Sequence, residues 1–283
     1  YDVDTFMSPD SIKAAQAKNP AVTTFSSKMP YHNMNDACPY GVLINQLKAP
    51  LDKVEVRWAL ALALDLQSVG INSVNGEFKA SPLPMADTEI LRPAYFDPLM
   101  PWLKDLTLSD GFKPFNANFG TDLAARLLKM GTPASVLPQG DKAVSESFGV
   151  GWWKYDVAEA EKLLTSVGFK KNSSGVWLKP DGKVWDLEFV IPGDWNKVMQ
   201  RIGFSIGDSW KKFGIQVNVR QVDSAEHTSV QNNNSQLQTE LMWTSCIFTT
   251  NYVNAWRTIN AQNLLAPDAT TPISGNAFRW NNT

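Results

Sequence analysis

The sequence predicts an α/β fold, a mixed β-sheet with helices on its faces, and three stretches carry that reading. Tyr155–Phe169 (YDVAEAEKLLTSVGF) has a full helix signature. Asp156 stands at the N-cap and Glu159 three residues on, the acidic variant of a capping box in which side chains satisfy orphan backbone N–H groups. Val157, Ala160, Leu163, Leu164 and Val167 recur at helical spacing, and Gly168 supplies a left-handed end onto which Phe169 folds back. Next, Trp185–Ile191 alternates as a strand, Asn196–Phe213 reads as a long helix stopped by Gly214, and Ile215–Val222 is a second strand. A strand, a long helix and a strand form a βαβ crossover. Finally, Tyr40–Asn45 (YGVLIN) is a compact apolar run suited to a buried strand, and Val54–Leu66 is apolar almost all round, as a helix buried on most sides must be.

The remaining elements follow in order. Ser8-Pro9 starts a short helix, with Ile12 and Ala15 on one side, that ends at Asn19-Pro20. Val22–Phe25 is a strand candidate, and Lys48-Ala49-Pro50 turns the chain before the apolar helix. Gly70–Phe119 is rich in Pro, Gly and Asn and reads as a long surface segment with short helical pieces. Thr121–Met130 is a short amphipathic helix, capped by Thr121 and ended by Gly131. Asn172–Gly175 and Lys179–Gly182 are turns bracketing a short strand at Val176–Leu178. Ser224–Gln231 reads as a helix broken by three asparagines, Leu237–Trp243 as a strand and Tyr252–Asn260 as a short helix.

At 283 residues and a formal net charge of −2, the chain has ample material for a core, and its charges are mixed in sign. No basic patch of the kind nucleic acid needs is present, and no run of about eighteen apolar residues that would span a bilayer. No signal peptide is legible. The opening YDVDTFM reads as the interior of a strand, so the sequence reads as a piece of a longer protein. Cys38 and Cys246 form no CxxC or zinc spacing, and they fit a disulfide or two buried thiols equally well. Tryptophan is abundant, 11 in all, serving core packing or the stacking of flat ligand faces.

Catalytic chemistry is not legible. His32 and His227 are the only histidines, and neither stands in a metal-binding spacing. The chain has no GxSxG elbow, no Walker A loop and no GxGxxG after a strand, and no cofactor is implied. Most of the 28 acidic residues fall on helix starts, turns and polar faces, leaving no recognisable carboxylate pair. Asp65, in a largely apolar helix, fits a paired structural acid near a helix end.

Three stretches together resemble the periplasmic oligopeptide-binding family of ABC-importer solute-binding proteins. Leu47–Asp65 (LKAPLDKVEVRWALALALD) is similar to the family's proline turn followed by D-x-x-x-V-R-x-A-l-x-x-A-l-D. Tyr155–Phe169 is similar to Y-D-x-x-x-A-x-x-L-L-x-x-x-G-F. Leu187–Val219, a strand and a helix followed by W-K-K-F-G-I-Q-V-N-V, is similar to the L-k-x-x-G-I-x-V-x-v strand entry, and YDVDTF resembles the strand that opens the family's second lobe. Trp58 departs from a usually basic position, and Ser68–Phe119 matches no pattern. The resemblance implies a periplasmic-binding-protein-like lobe of type II, with residues 1–283 as a single ligand-binding lobe. It also implies a partner lobe in the same parent chain, a small-molecule solute held between the lobes, and delivery to an ABC permease at the cell envelope.

The resemblance further implies that the strand ending near Trp243 and the following loop face the cleft. The candidate ligand-binding residues there are Trp243, Ser245, Cys246, Phe248 and Tyr252, an aromatic and hydroxyl-lined shelf; the competing reading makes Trp243 a core residue beneath the helices. Peptide-binding members place an acid near this loop for the ligand's amino group, yet Met242–Trp256 has no Asp or Glu. Ile191-Pro192-Gly193-Asp194-Trp195 resembles the v-P-x-G-W loop of the oligosaccharide-binding branch, with its glycine one place early. Trp195 is therefore a sixth candidate, stacking on a sugar or pinning the helix that follows. The implied function is capture of an oligosaccharide or peptide-like solute, without enzymatic turnover. The alternative is a stand-alone carbohydrate- or protein-interaction module.

Overall fold

The computed structural model describes residues 9–34, 38–231 and 238–243. The chain divides into two compact units, residues 1–36 with 67–153 and residues 37–66 with 154–283. Its elements in chain order begin with α1 (Pro9–Lys18), β1 (Tyr40–Ile44), α2 (Val54–Leu62), α3 (Leu66–Val74), α4 (Asp97–Asp105) and β2 (Phe115–Asn116). Next come α5 (Phe119–Lys129), α6 (Asp141–Phe148), β3 (Trp152–Trp153), α7 (Val157–Ser166), β4 (Lys170–Lys171) and β5 (Trp177–Leu178). Last are β6 (Asp186–Pro192), α8 (Lys197–Phe213), β7 (Gln216–Val222), α9 (Ser224–Gln231) and β8 (Thr239–Trp243).

In the unit of residues 37–66 and 154–283, a four-stranded sheet runs in the order β1-β8-β6-β7. β6 pairs in parallel with β7 and with β8, and β1 runs antiparallel to β8, so the sheet is mixed. The expected crossover is present as β6–α8–β7. Period-two alternation puts helices on both sheet faces. Phe189 packs on Trp210 of α8 with ring centroids 5.2 Å apart, and a Cβ on Gly203 of α8 would lie 2.5 Å from Ile191. Val190, between them, turns the other way to cluster with Val222 and with Val230 of α9. Buried on both faces, β6 reads as a nearly continuous apolar run.

α7 follows its local signals closely. The Asp156 side chain accepts from the Glu159 N–H at 2.9 Å, Gly168 has φ +92°, and the Phe169 N–H closes onto the Leu164 carbonyl at 3.0 Å. The reciprocal half of the capping box is replaced. The Asp156 N–H donates to the Leu62 carbonyl at 2.9 Å, tying α7 to the end of α2, and Glu159 lies 3.5 Å from Lys162. Asp156→Ala should therefore cost about 1 kcal/mol in urea unfolding, with Asp156→Ser retaining most of the stability; equal stability of wild type and Asp156→Ala would show that the cap contributes nothing. α8 likewise has the expected ends: Asn196 caps Met199 N–H at 2.9 Å, and Gly214 is left-handed at φ +103°.

Several expectations are corrected. The apolar stretch 54–66 is not one helix: α2 ends at Leu62, and α3 begins at Leu66, with Asp65 at the break. Val22–Phe25 is not a strand, since side chains of Asn19 and Thr24 bond to the nearby backbone instead and Phe25 stays exposed. α5 starts at Phe119 rather than being capped by Thr121. The opening YDVDTF, Leu237 and the 252–260 helix lie outside the described residues.

The other unit turns the Pro-rich 70–119 segment into ordered structure. A π-helical turn at Arg92–Phe96 leads into α4, followed by β2, which pairs with β3. Pro93 and Pro98 stand at first-turn positions, where a missing N–H costs nothing, and Pro101 is accommodated inside α4, so composition alone misread these prolines as breakers. Two buried carboxylates anchor this unit. Glu77 accepts from the Tyr31 N–H at 3.0 Å and lies 2.8 Å from His32 Nδ1, and Asp87 is clamped by Arg92.

Candidate functional site

The carboxyl ends of the three parallel strands β6, β7 and β8 lie at one edge of the sheet, and the antiparallel register brings the start of β1 there too, Tyr40 opposite Trp243. Ligands of open α/β sheets bind beyond such carboxyl ends, where connections leave in opposite directions. Here β6 connects to β7 on one side, while β8 lies on its other side.

The loop after β6 is held at several points. The Gly193 N–H donates to the Val222 carbonyl at 2.7 Å, and the Gln200 amide donates to the Gly193 carbonyl at 2.6 Å. Asn196 caps α8, and its amide nitrogen lies 3.5 Å from the Tyr40 hydroxyl. A loop pinned in this way presents Trp195 in one place. The Trp195 and Trp243 rings lie 5.1 Å apart at an interplanar angle of 35°, with Tyr40 6.4 Å beyond Trp243. Both indoles are half-buried, and the Trp195 Nε1–H is buried without a hydrogen-bond partner among the described residues. The result is a row of rings, Tyr40–Trp243–Trp195, suited to covering a flat, weakly polar ligand face.

Polar groups close the inner side of this row. Glu240 pairs with Val190 in the β8–β6 register, so it shares the sheet face on which α9 packs. His227 of α9 sets its Nε2 3.3 Å from Glu240 Oε2, without hydrogen-bond geometry, and meets Trp195 edge-to-face with centroids 5.8 Å apart. Burial pushes the His227 pKa below its ordinary value. Arg220 links Glu188 and Glu226, joining β7 to β6 and α9. Among the described residues, no group of three or more His, Cys, Asp or Glu side chains is placed to hold a metal ion.

Of the sequence-predicted site residues, the structure brings Trp195 and Trp243 together. Ser245, Cys246, Phe248 and Tyr252 lie outside the described residues. Cys38 is disulfide-bonded, which removes the free-thiol alternative for it. Sequence reasoning missed Tyr40, His227 and Glu240. Tyr40 carried a signal only as the first residue of a strand, and its place beside Trp243 depends on a pairing between distant parts of the chain.

The sequence profile of bacterial extracellular solute-binding proteins, family 5 Middle, matches residues 121–263, half of the chain. No match is found among curated proteins. Among solved structures, a mannohexaose-bound periplasmic oligopeptide-binding protein of an ABC transporter from Thermotoga maritima aligns at TM-score 0.65 and 21% identity, covering 98% of this chain and 41% of that one. The oligopeptide-binding protein AppA from Bacillus subtilis, in complex with a nonapeptide, aligns at TM-score 0.53 and 16% identity over 87% of this chain and 37% of that one. NikZ from Campylobacter jejuni, in complex with Ni(L-His), aligns at TM-score 0.53 and 18% identity over 96% and 44%. The structural likeness shows the shared fold, and this chain spans about two-fifths of the first relative's length. The α/β architecture, its periplasmic-binding-protein-like sheet and the matched profile agree: the chain belongs to family 5 of the bacterial extracellular solute-binding proteins.

Proposed function

We propose that this chain is a ligand-binding lobe of an ABC-importer solute-binding component. It holds a neutral oligosaccharide, or failing that a peptide-like solute, against a second lobe of the same parent protein for delivery to a membrane permease. The observation that carries the reading is the Trp195–Trp243 pair at the carboxyl edge of the sheet. Neighbouring indoles can cover the apolar C–H face of a pyranose, and nearby hydroxyl and amide groups take its hydroxyls. The sugar preference also draws on the mannohexaose-bound relative and on the absence of acids from Met242–Trp256. Binding without turnover fits a site whose described residues offer rings and hydrogen bonds, with the family as support. Among the described residues no helix is long and apolar enough to cross a membrane, and a cell-envelope location outside the cytoplasm follows from the same proposal.

Thermal-shift and calorimetric titration with mannohexaose, short peptides and nickel–histidine tests this reading. Mannohexaose should give the largest response, and Trp195→Ala and Trp243→Ala should each weaken it by about 1 to 2 kcal/mol, the scale of apolar ring area withdrawn from water. A response to peptides alone would overturn the sugar preference. Unchanged mannohexaose affinity in both tryptophan variants would place the ligand elsewhere.

A further inference from the structure

The inner side of the aromatic row is closed by a titratable group on an otherwise apolar helix face. The His227 N–H bonds to the Asp223 carbonyl at 2.8 Å, one turn into α9, and Val230 follows at i+3 to pack with Val190 and Val222. The imidazole is 3% exposed and the Glu240 carboxylate 0%. The His227 side chain meets the Trp195 ring on one side and the Glu240 carboxylate on another. The charged groups on the packed elements are otherwise committed. Glu188 of β6 and Arg220 of β7 pair with each other, Glu226 of α9 pairs with Arg220, and Asp223 caps the Glu226 N–H at 2.8 Å. Asp194, on the Trp195 loop, is exposed.

We infer that His227 is a positioning residue for the shelf: its neutral imidazole, wedged between Trp195 and Glu240, holds the Trp195 ring against Trp243, and its protonation loosens that ring, so that solute capture weakens in acid. The inference rests on the shelf being the solute site, as proposed above. Two effects oppose each other at the imidazole. Glu240 favours the cation, whereas burial under Trp195 disfavours any charge there, and burial is the stronger, as the lowered pKa of His227 indicates. Between the folded value and the ordinary value of about 6.5, the unfolded chain binds more protons than the folded one. The contribution to stability is therefore complete above about pH 6.5 and is lost as pH falls through the folded value. A solute covering the indoles excludes water further and selects the neutral form, so acid must oppose binding by the same linkage.

The chain has two histidines, so two imidazole Cε1–H signals in a proton NMR titration report on it, and His227→Gln assigns them. His227 should titrate below the ordinary histidine range, and Trp195→Ala, by admitting water, should move it back up. In parallel, mannohexaose affinity measured calorimetrically should hold from about pH 7.5 down to about pH 6.5 and fall as pH drops further through the folded His227 value, by up to about tenfold for each unit by which bound solute lowers the His227 pKa. His227→Phe keeps a flat ring without a titrating proton and should abolish that pH dependence while leaving binding at the higher pH. A His227 titration unmoved by Trp195→Ala, or an unchanged pH profile in His227→Phe, would overturn the inference. Failure of the wild type to bind mannohexaose at any pH would instead overturn the sugar reading, and the NMR titration would still decide the role of His227.

Discussion

Asp87→Ala should lower the stability of the unit containing residues 67–153 by about 3 to 5 kcal/mol, the cost of breaking a buried ion pair from one side. The Asp87 carboxylate has no solvent exposure and takes both arms of one guanidinium, Arg92 Nε at 2.7 Å and Nη2 at 2.6 Å. Arg92 reaches on to α6, donating to the Ser145 hydroxyl at 2.9 Å and to the Ser145 carbonyl at 2.8 Å. Lys79 Nζ lies 4.0 Å from the same carboxylate; burial depresses its pKa, and Asp87 works against that depression. Removing the anion leaves two largely buried cations facing each other and unties the Pro-rich segment from α6. The fork geometry also makes Arg92 irreplaceable by lysine. Urea unfolding of Asp87→Ala, Arg92→Met and the double variant checks this. The double variant should be less damaged than the sum of the singles, because the Asp87–Arg92 pair is then removed together and only Lys79 loses its counter-ion. Additive losses, or an Asp87→Ala loss under about 1 kcal/mol, would mean that water serves these groups as well as the network does.

The second large effect is expected at Trp210. Its ring packs on Phe189 of β6, and its Nε1–H donates to the Leu60 carbonyl at 3.0 Å. Leu60 stands in the last turn of α2, where carbonyls have no intrahelical donor, so the indole completes the end of a neighbouring helix while filling the space above the sheet. Trp210→Ala should cost about 3 to 5 kcal/mol through lost burial and the cavity left behind. Trp210→Phe keeps much of the volume but orphans the carbonyl, and should cost about 1 to 3 kcal/mol. Chemical denaturation monitored by far-ultraviolet circular dichroism separates the two. If Phe and Ala prove equally damaging, the hydrogen bond outweighs the ring volume; if Phe is neutral, the bond contributes nothing.

Legibility of the chain followed the range of the forces involved. α7 and α8 were readable because each end is set by a side chain within three residues of the backbone group it satisfies, Asp156 on Glu159 and Asn196 on Met199, and each stop by one left-handed glycine. β6 and β7 were readable because a strand–helix–strand run of that length has one compact solution, a parallel pair. The Arg92–Phe96 π-helical turn and α4 were hidden, since their prolines mean a break or a helix start depending on neighbours the local pattern does not specify.

The site divides in the same way. Trp195 and Trp243 were candidates as isolated aromatic residues, on family resemblance. Their 5.1 Å approach, the arrival of Tyr40 beside them and the wedging of His227 over Glu240 exist only because β1 pairs with β8 and α9 crosses beside β6. The sequence by itself determined which segments are helix or strand wherever caps, turns and periodicity act within a few residues. Tertiary structure alone decided which strands are neighbours and which polar groups are buried together, because pairing and desolvation act between residues far apart in the chain and leave no mark at either position.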